Sequence, residues 1–376
     1  MSAIRTVERE METVTEGGAE LAVDGAFYNP RMEMNRDITV GVLRAWRKRV
    51  GAQTPTYLDA NCASGVRGVR AGLVGYDPML VDRSDEAVEL TRRNVEENGV
   101  GDRATVEHED ANVAMRRQRY DVVDVDPFGS PVPFADAAFS SADSLACFTA
   151  TDTAPLCGAH DSGVRRYSCV PLNTTYHAEM GLRVLIGSLA RTAARYDVAV
   201  TPVLSHSSDH YKRTYLAVEE GAKVSNAALE GVGFLSHCFE CGSRDACDAV
   251  GAAVPEETDR VCACGAMREV AGPLWTGPIS DAGFVGSVID EIEEDERMGT
   301  RKRAKKTLRL VRDELDTPTH YDHHKVCQRA GVAPSKLEVF LERLRDFGYE
   351  ATEAHYSGTA FKTDASHEEL VELVGE

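Results

Sequence analysis

Between residues 37 and 220, apolar positions alternate between the two-residue period of a strand and the 3.6-residue period of an amphipathic helix. Residues 37–50 read as a helix. Strand-like runs then follow at "TYLDA" (56–60), "PMLVD" (78–82), "ATVEHED" (104–110), "YDVVDVDPF" (120–128) and "SLACFTATD" (144–152). Helical patterns separate them: "GVRGVRAGLV" (65–74), "SDEAVELTRRNVEENG" (84–99) with a Ser N-cap and closing Gly, "ANVAMRRQ" (111–118), and "SPVPFADAAFSSA" (130–142), a loop running into a helix. A long helix is expected over 174–197, then two strands around a Ser-Ser-Asp turn within 198–220. Strands alternating with helices predict a parallel, doubly wound sheet, and the closing hairpin adds an antiparallel strand.

The pattern breaks after about residue 223. Residues 236–268 carry Cys and Gly with little periodicity, and "GPLWTGPI" (272–279) reads as a linker. Residues 280–376 are helix-rich, with a β-like tail, "YEATEAHYSGTAFKTD" (349–364), in an order resembling a winged helix. The expected division is therefore residues 1–270, with the Cys-rich segment as an insert, and a smaller α+β unit over 271–376.

The chain has 376 residues and no apolar run of membrane-spanning length. Its charged N-terminus, "MSAIRTVEREMETVTEGG", lacks the apolar core of a secretory signal, so a cytoplasmic location is expected. Ten cysteines then read as thiols or metal ligands instead of disulfides. The formal net charge is −19, with Arg far outnumbering Lys, as suits a high-salt cell interior. Such a balance opposes nucleic-acid binding unless a local basic patch exists. One does: "RKRAKKTLRLVR" (301–312), beside the acidic "DEIEEDE" (290–296). It reads equally as a solvated face paired with those acids or as a phosphate-binding helix.

Ligands of doubly wound sheets bind beyond the carboxyl ends of the strands. There the first strand enters "LDANCASGVRG", where small residues and Gly65 allow a tight turn into a helix. The spacing is not GxGxxG, which disfavours a pyrophosphate cradle and hence a nicotinamide dehydrogenase. The second strand ends on Asp82, suited to a ribose diol, and the third on "EDA", placing Asp110 near an adenine edge. Asp59 is a candidate for the other end of the ligand. These features fit S-adenosylmethionine, whose cationic sulfonium favours a carboxylate-rich pocket. Taken singly, each acid reads as well as a helix cap or strand-end solubiliser.

The fourth strand ends in Asp126-Pro127-Phe128-Gly129. An exocyclic base amine is a poor nucleophile because its lone pair is delocalised into the ring. A carboxylate that accepts its proton localises that pair, and an adjacent aromatic ring stacks the flipped base. The competing structural reading is a buried, helix-capping Asp with Phe in the core.

Five blocks, "FYNPRMEMNRD" (27–37), "DANCASGVRGVRAG" (59–72), "DVDPFGSPVPFAD" (124–136), "TATDTAPLCG" (149–158) and "LSHSSDHYKR" (204–213), together resemble the archaeal type of tRNA guanine-26 N2-dimethyltransferase. The resemblance runs from "TEGGAEL" (15–21) into the C-terminal unit. It implies a Rossmann-like class I methyltransferase fold, S-adenosylmethionine as cofactor, tRNA as partner and an enzyme that adds one or two methyl groups; the sequence does not fix the oligomeric state, and a monomer is assumed. It also implies roles. Asp126 would accept the N2 proton, and Phe27 and Phe128 would sandwich the guanine. Arg36 and Arg67 would hold the cofactor carboxylate, Asp82 the ribose, and Asp110 with Ala111 the adenine. His210 and Tyr211 are read as structural.

Cys238-x-x-Cys241-Gly and Cys262-x-Cys264-Gly form two thiol pairs separated by 20 residues, suited to a structural zinc knuckle. The second pair is CxC, not CxxC, so Cys247 competes with Cys262 for the site. Free thiols in a loop are the plainer alternative, and Cys62, Cys147, Cys157, Cys169 and Cys327 are expected to be buried and inert. Two other functions stay open at this point: methylation of an exocyclic amine in another RNA, and a zinc-bearing RNA-binding protein without catalysis.

Overall fold

The computed structural model describes residues 12–208, 210–247 and 260–375. The signal-free reading of the N-terminus falls partly on residues 1–11, and Asp209 of the expected turn and 248–259 of the Cys-rich segment also lie outside the described residues.

A hairpin of β1 (Thr13–Glu16) and β2 (Ala19–Ala22) leads into α1 (Glu33–Val50). The doubly wound unit follows as β3 (Thr56–Asp59), α2 (Val66–Leu73), β4 (Asp77–Asp82), α3 (Asp85–Glu97), β5 (Thr105–His108), α4 (Ala111–Arg117), β6 (Tyr120–Val125), α5 (Val132–Ser141) and β7 (Ala142–Ala150). Short helices α6 (Thr153–Leu156) and α7 (Ser162–Tyr167) precede the long α8 (His177–Ala194) and the hairpin β8 (Val198–Ser208) and β9 (Tyr211–Glu220). The seven strands lie in the order β5-β4-β3-β6-β7-β9-β8. The first five are parallel, while β9 is antiparallel to both neighbours. The expected parallel sheet with a hairpin closure is what forms.

Successive strand residues point to opposite faces. Leu58, Val123 and Phe148 pack with α4, α5 and α8 on one side. Tyr57, Val122 and Leu145 pack with α1 on the other. Both faces of these strands are therefore buried.

Past the sheet come α9 (Ala222–Ala228) and a three-stranded sheet of β10 (Val232–His237), β11 (Arg244–Cys247) and β12 (Glu269–Trp275), ordered β11-β10-β12. The stretch read as a linker from residue 272 begins inside β12. The Gly272-Pro273 pair that suggested a loop sits at a register shift, where Gly233 faces Leu274 and Leu235 faces Ala271. Proline, lacking an N–H, is tolerated at such a bulge. Leu274 and Trp275 are buried.

Helices α10 (Ala282–Glu294) and α11 (Arg301–Asp313) then share one core with α1 and the sheet, through Val285, Val288, Ile292, Ala304 and Leu308. The boundary expected near residue 270 thus falls within continuous packing. A separate core joins Tyr321, Phe340, Leu344, Phe361 and Leu370. It gathers β13 (Tyr321–Asp322), α12 (His323–Ala330), α13 (Leu337–Asp346), β14 (Ala351–Glu353), β15 (Ala360–Thr363) and α14 (His367–Gly375), an order of strand, helix pair and hairpin. Glu179 on α8, fully buried, ties this unit to the first. It accepts from the backbone N–H groups of Thr319 and His320 at 3.0 and 2.7 Å, and pairs with Arg183 and Lys362.

Candidate active site and metal centre

A cavity of about 770 Å³ opens beyond the carboxyl ends of β3, β4 and β6, within the usual size range of small-ligand sites. Asp82, Asp110, Ala111, Asp126, Phe27 and Phe128 all line it, as do Arg36 and Arg67. These residues come from six separate stretches of chain, and the sheet order brings them together. Asp59 and Gly65 do not line it. Gly65 takes φ +75° at the start of α2, with Thr91 packed closely where a side chain would project, so it shapes the turn. Asp59 lies beneath, accepting from the Gly68 N–H at 3.0 Å. Burial, then the neighbouring Asp124 carboxylate, push Asp59 up to about 7.

Asp82 accepts the backbone N–H of Ala63 on one oxygen and that of Ser84 on the other, both at 3.0 Å. Each oxygen keeps a second lone pair. Asp110 caps α4 by accepting from Asn112 at 2.9 Å. The capping reading is therefore true of Asp110 while it still faces the cavity. A pocket walled by these acids, with two backbone-anchored oxygens at Asp82, fits an adenosyl ligand without a pyrophosphate.

Asp126 sits just past β6 with about a fifth of its side chain exposed. Arg67 donates to its Oδ2 from Nε at 2.7 Å and from Nη2 at 2.6 Å. Among the described residues Oδ1 of Asp126 accepts no hydrogen bond. Asn35 and Thr39 hold the other face of Arg67, at 2.7 and 3.2 Å. Burial works against the Arg67 charge, but Asp126 and Asp124 outweigh it and raise its pKa. Arg36 is likewise engaged, donating to both Glu16 oxygens and to the Asn29 carbonyl. Both arginines reach the cavity wall already paired with protein acids.

Phe27 and Phe128 are 53% and 75% exposed, unlike core aromatics. Their rings meet edge to face, with centroids 4.4 Å apart and planes at 72°. A base between two parallel rings needs about 7 Å, twice an aromatic contact distance. In this arrangement no slot lies between them, so a sandwich requires the rings to part.

Beneath the cavity lies a network that sequence reasoning missed. Arg213 on β9 grips Asp124 with two hydrogen bonds of 2.8 and 2.7 Å, both residues being fully buried. Tyr57 donates to the same carboxylate at 2.8 Å. Burial opposes the Asp124 charge, yet Arg213 and Arg67 hold its carboxyl below the usual range. The sequence signal was an acid in an apolar strand, which demands a buried cation. Its partner, Arg213, lies 89 residues away. His210, read as structural, lines the cavity, whereas Tyr211 is buried.

The sulfurs of Cys238, Cys241, Cys262 and Cys264 all lie within 4.8 Å of one another. Cys238–Cys264 and Cys241–Cys262 are 3.6 and 3.4 Å apart. Those separations are far too long for disulfides. They are close to the roughly 3.8 Å edge of a tetrahedron with 2.3 Å zinc–sulfur bonds. The set includes Cys262 and leaves Cys247 outside, on β11 opposite Phe234. Cys62, Cys147, Cys157, Cys169 and Cys327 are buried thiols.

Sheet topology, a cavity walled by strand-end acids and a carboxylate at the tip of the fourth strand together define a Rossmann-like methyltransferase. The family model for N2,N2-dimethylguanosine tRNA methyltransferases matches residues 5–375, and the chain belongs to that family. It is 48% identical over 351 residues to the tRNA (guanine(26)-N(2))-dimethyltransferase of Haloarcula marismortui, covering 93% of this chain and 94% of that one. It is 49% identical over 361 residues to the enzyme of that name from Natronomonas pharaonis, covering 96% of each. Trm1 from Pyrococcus horikoshii, solved in complex with S-adenosyl-L-methionine, superposes with a TM-score of 0.87 at 34% identity, covering 96% of this chain and 99% of that one.

Proposed function

We propose that this protein transfers one or two methyl groups from S-adenosylmethionine to N2 of guanosine 26 in tRNA, with Asp126 as the proton acceptor. The observation that carries the residue assignment is Asp126 itself: a carboxylate at the mouth of the cavity, fixed through Oδ2 by Arg67, with Oδ1 open to solvent and an exposed aromatic ring two residues on.

S-adenosylmethionine supplies an electrophilic methyl group when bound. Asp82 suits its ribose hydroxyls, Asp110 and Ala111 its adenine edge, and Arg36 and Arg67 lie where an amino-acid carboxylate would compete with Glu16 and Asp126. Asp59 we assign to bracing the start of α2. Asp126 Oδ1 accepts an N–H of the guanine N2 and takes that proton as the nitrogen acquires its methyl carbon. Phe27 and Phe128 part to hold the flipped base in the plane this requires. A second round needs the monomethyl group to turn aside so that the remaining N–H again faces Asp126.

A tetrahedral zinc on Cys238, Cys241, Cys262 and Cys264 would staple β10 and β11 to the chain before β12; with four thiolates no position remains for a reacting water. Helix α11 turns Ala304, Leu308 and Val311 inward and leaves Lys302, Lys306 and Arg309 exposed, while Lys305 pairs with Glu293. That outer face suits tRNA phosphates in a chain of net charge −19. No helix among the described residues is long and apolar enough to cross a membrane. With tRNA as substrate this favours a cytoplasmic enzyme, and we take it to act as a monomer.

The test is nucleoside mass spectrometry of tRNA transcripts incubated with protein and labelled cofactor. N2-methyl and N2,N2-dimethylguanosine are expected with guanosine at position 26 and not with adenosine there. Equal label in both transcripts would refute the position, and label on another base would refute the chemistry.

A further inference from the structure

A second cavity, of about 440 Å³, lies between the cysteine knuckle and the C-terminal unit, formed by elements other than those of the active site. The relevant walls are Phe239 and Arg244 from the knuckle, and Asp322, Lys325 and Arg329 from the start and body of α12. Three cations face one acid, in a chain whose acids outnumber its bases by 19. That acid is already committed: Asp322 accepts from the Lys325 N–H at 3.0 Å and from the Thr359 hydroxyl at 2.7 Å.

The three cations are held differently. Arg244 is fixed between Tyr321 and Tyr176, 3.6 and 4.5 Å from their ring centroids, and donates to the His320 carbonyl at 2.6 Å. Its Nε has no hydrogen-bond partner among the described residues. Arg329 lies across Gly242, whose φ of +85° and missing side chain leave room for the guanidinium, and it donates weakly to the Phe239 carbonyl at 3.3 Å. Among the described residues Lys325 Nζ reaches only Gln328, at 3.4 Å. Lys325 and Arg329 are both exposed, and so is the Phe239 ring, at 44%. Exposed cations beside an exposed aromatic face are what a nucleotide requires: charge for the phosphate and a π-face for the base.

We propose that this cleft binds one nucleotide of the tRNA outside the target guanosine, with its phosphate on Lys325 and Arg329 and its base against Phe239. The inference rests on the tRNA-modifying reading above and adds a contact point to it. By this account the knuckle serves recognition: it presents Phe239 and Gly242 to α12, so that a strand of RNA touches the metal-bearing insert and the C-terminal unit together.

The test uses the full chain with its metal content measured, and compares wild type with the double variant Lys325→Glu/Arg329→Glu and with Phe239→Ala. Equilibrium binding of tRNA is followed over a series of KCl concentrations. The charge reversal should raise Kd at least tenfold and reduce the slope of log Kd against log salt by about one, for the one phosphate no longer neutralised. Phe239→Ala should raise Kd about five- to tenfold with the slope unchanged. S-adenosylmethionine affinity and zinc content should stay at wild-type values in both. If charge reversal lowers zinc content, Lys325→Gln and Arg329→Gln are read by the same criteria, since both positions are exposed. Kd and slope within twofold of wild type in all variants would overturn the proposal. So would saturable binding of adenosine monophosphate that depends on Lys325 and Arg329 while tRNA affinity does not, which would mark a free-nucleotide site. Wild type that binds tRNA but leaves guanosine unmethylated would sink the enzymatic reading, while the comparison of dissociation constants would still decide the cleft.

Discussion

Arg67 grips Asp126 by one oxygen only, with Nε and Nη2 at 2.7 and 2.6 Å from Oδ2. In the mechanism we propose, this leaves Oδ1 free to take a proton from substrate while the side chain is held in place. Asp126→Asn keeps the shape and removes the acceptor. It should lower single-turnover methyl transfer by about 10²–10⁴, the span of positioned general bases. Calorimetry should find cofactor affinity within a few-fold of wild type. Transfer at more than a tenth of the wild-type rate would rule Asp126 out as the acceptor.

Phe128 is three-quarters exposed, so its loss should barely touch folding. Phe128→Ala is expected to weaken the productive tRNA complex by about 1–3 kcal/mol, the value of one stacked base. That appears as a fall in kcat/KM of roughly 5- to 150-fold. A midpoint of thermal unfolding shifted by more than a few degrees would indicate that the ring is structural.

Asp59 makes stability depend on pH in a definite direction. Its carboxyl is raised from 3.8 to about 7, by burial first and Asp124 second. The folded chain therefore retains a proton that the unfolded chain releases from about pH 4 upward. The stabilisation is complete below pH 4 and is lost as pH rises through 7. Asp59→Asn should remove that decline, so its advantage over wild type should grow between pH 5 and 8, by about 1–3 kcal/mol. Glu16 works oppositely. Burial opposes its charge, but Arg36 and Arg70 bring it down to about 2. Its contribution is present above pH 4.5 and is lost as pH falls towards 2. Differences in urea midpoint across pH, variant against wild type, isolate each group.

Glu179 should behave as the latch between the two cores. Glu179→Ala leaves Arg183 and Lys362 buried without their carboxylate, and the Thr319 and His320 N–H groups without their acceptor. Breaking such a buried pair costs about 3–5 kcal/mol. Calorimetry should resolve an earlier transition for the C-terminal unit, with cofactor binding kept by the remainder. One unshifted transition would show that the carboxylate carries no load.

The zinc assignment predicts one metal per chain by elemental analysis. Cys264→Ser, at the exposed corner of the cluster, should release it, while Cys247→Ser should not. Loss in both, or in neither, would contradict the four-sulfur set.

Much of the fold was legible because its signals are local. The period-two runs at 56–60, 78–82 and 120–128 became β3, β4 and β6, and the Ser84 cap formed where the spacing placed it. The misreadings came where punctuation competed with packing. Gly272-Pro273 looked like a linker, yet burial of Leu274 and Trp275 against α8 drew it into a strand, and a bulge absorbed the proline. The core shared by α1, α10 and α11 joins residues from both sides of residue 270.

The order of residues alone determined the doubly wound sheet, the acids at its strand ends, the Asp126-Pro-Phe128 tip and the two thiol pairs. Each is written within a few neighbouring residues, because strand period, turn chemistry and helix caps act over that range. Only the tertiary structure decided that Asp59 turns under the cavity, that Arg67 leans on Asp126, that Asp124 needs Arg213, and that Cys262 and not Cys247 completes the sulfur cluster. Those are choices among buried charges and ligands far apart in the chain, and an ion out of water accepts whichever partner the packing brings within reach.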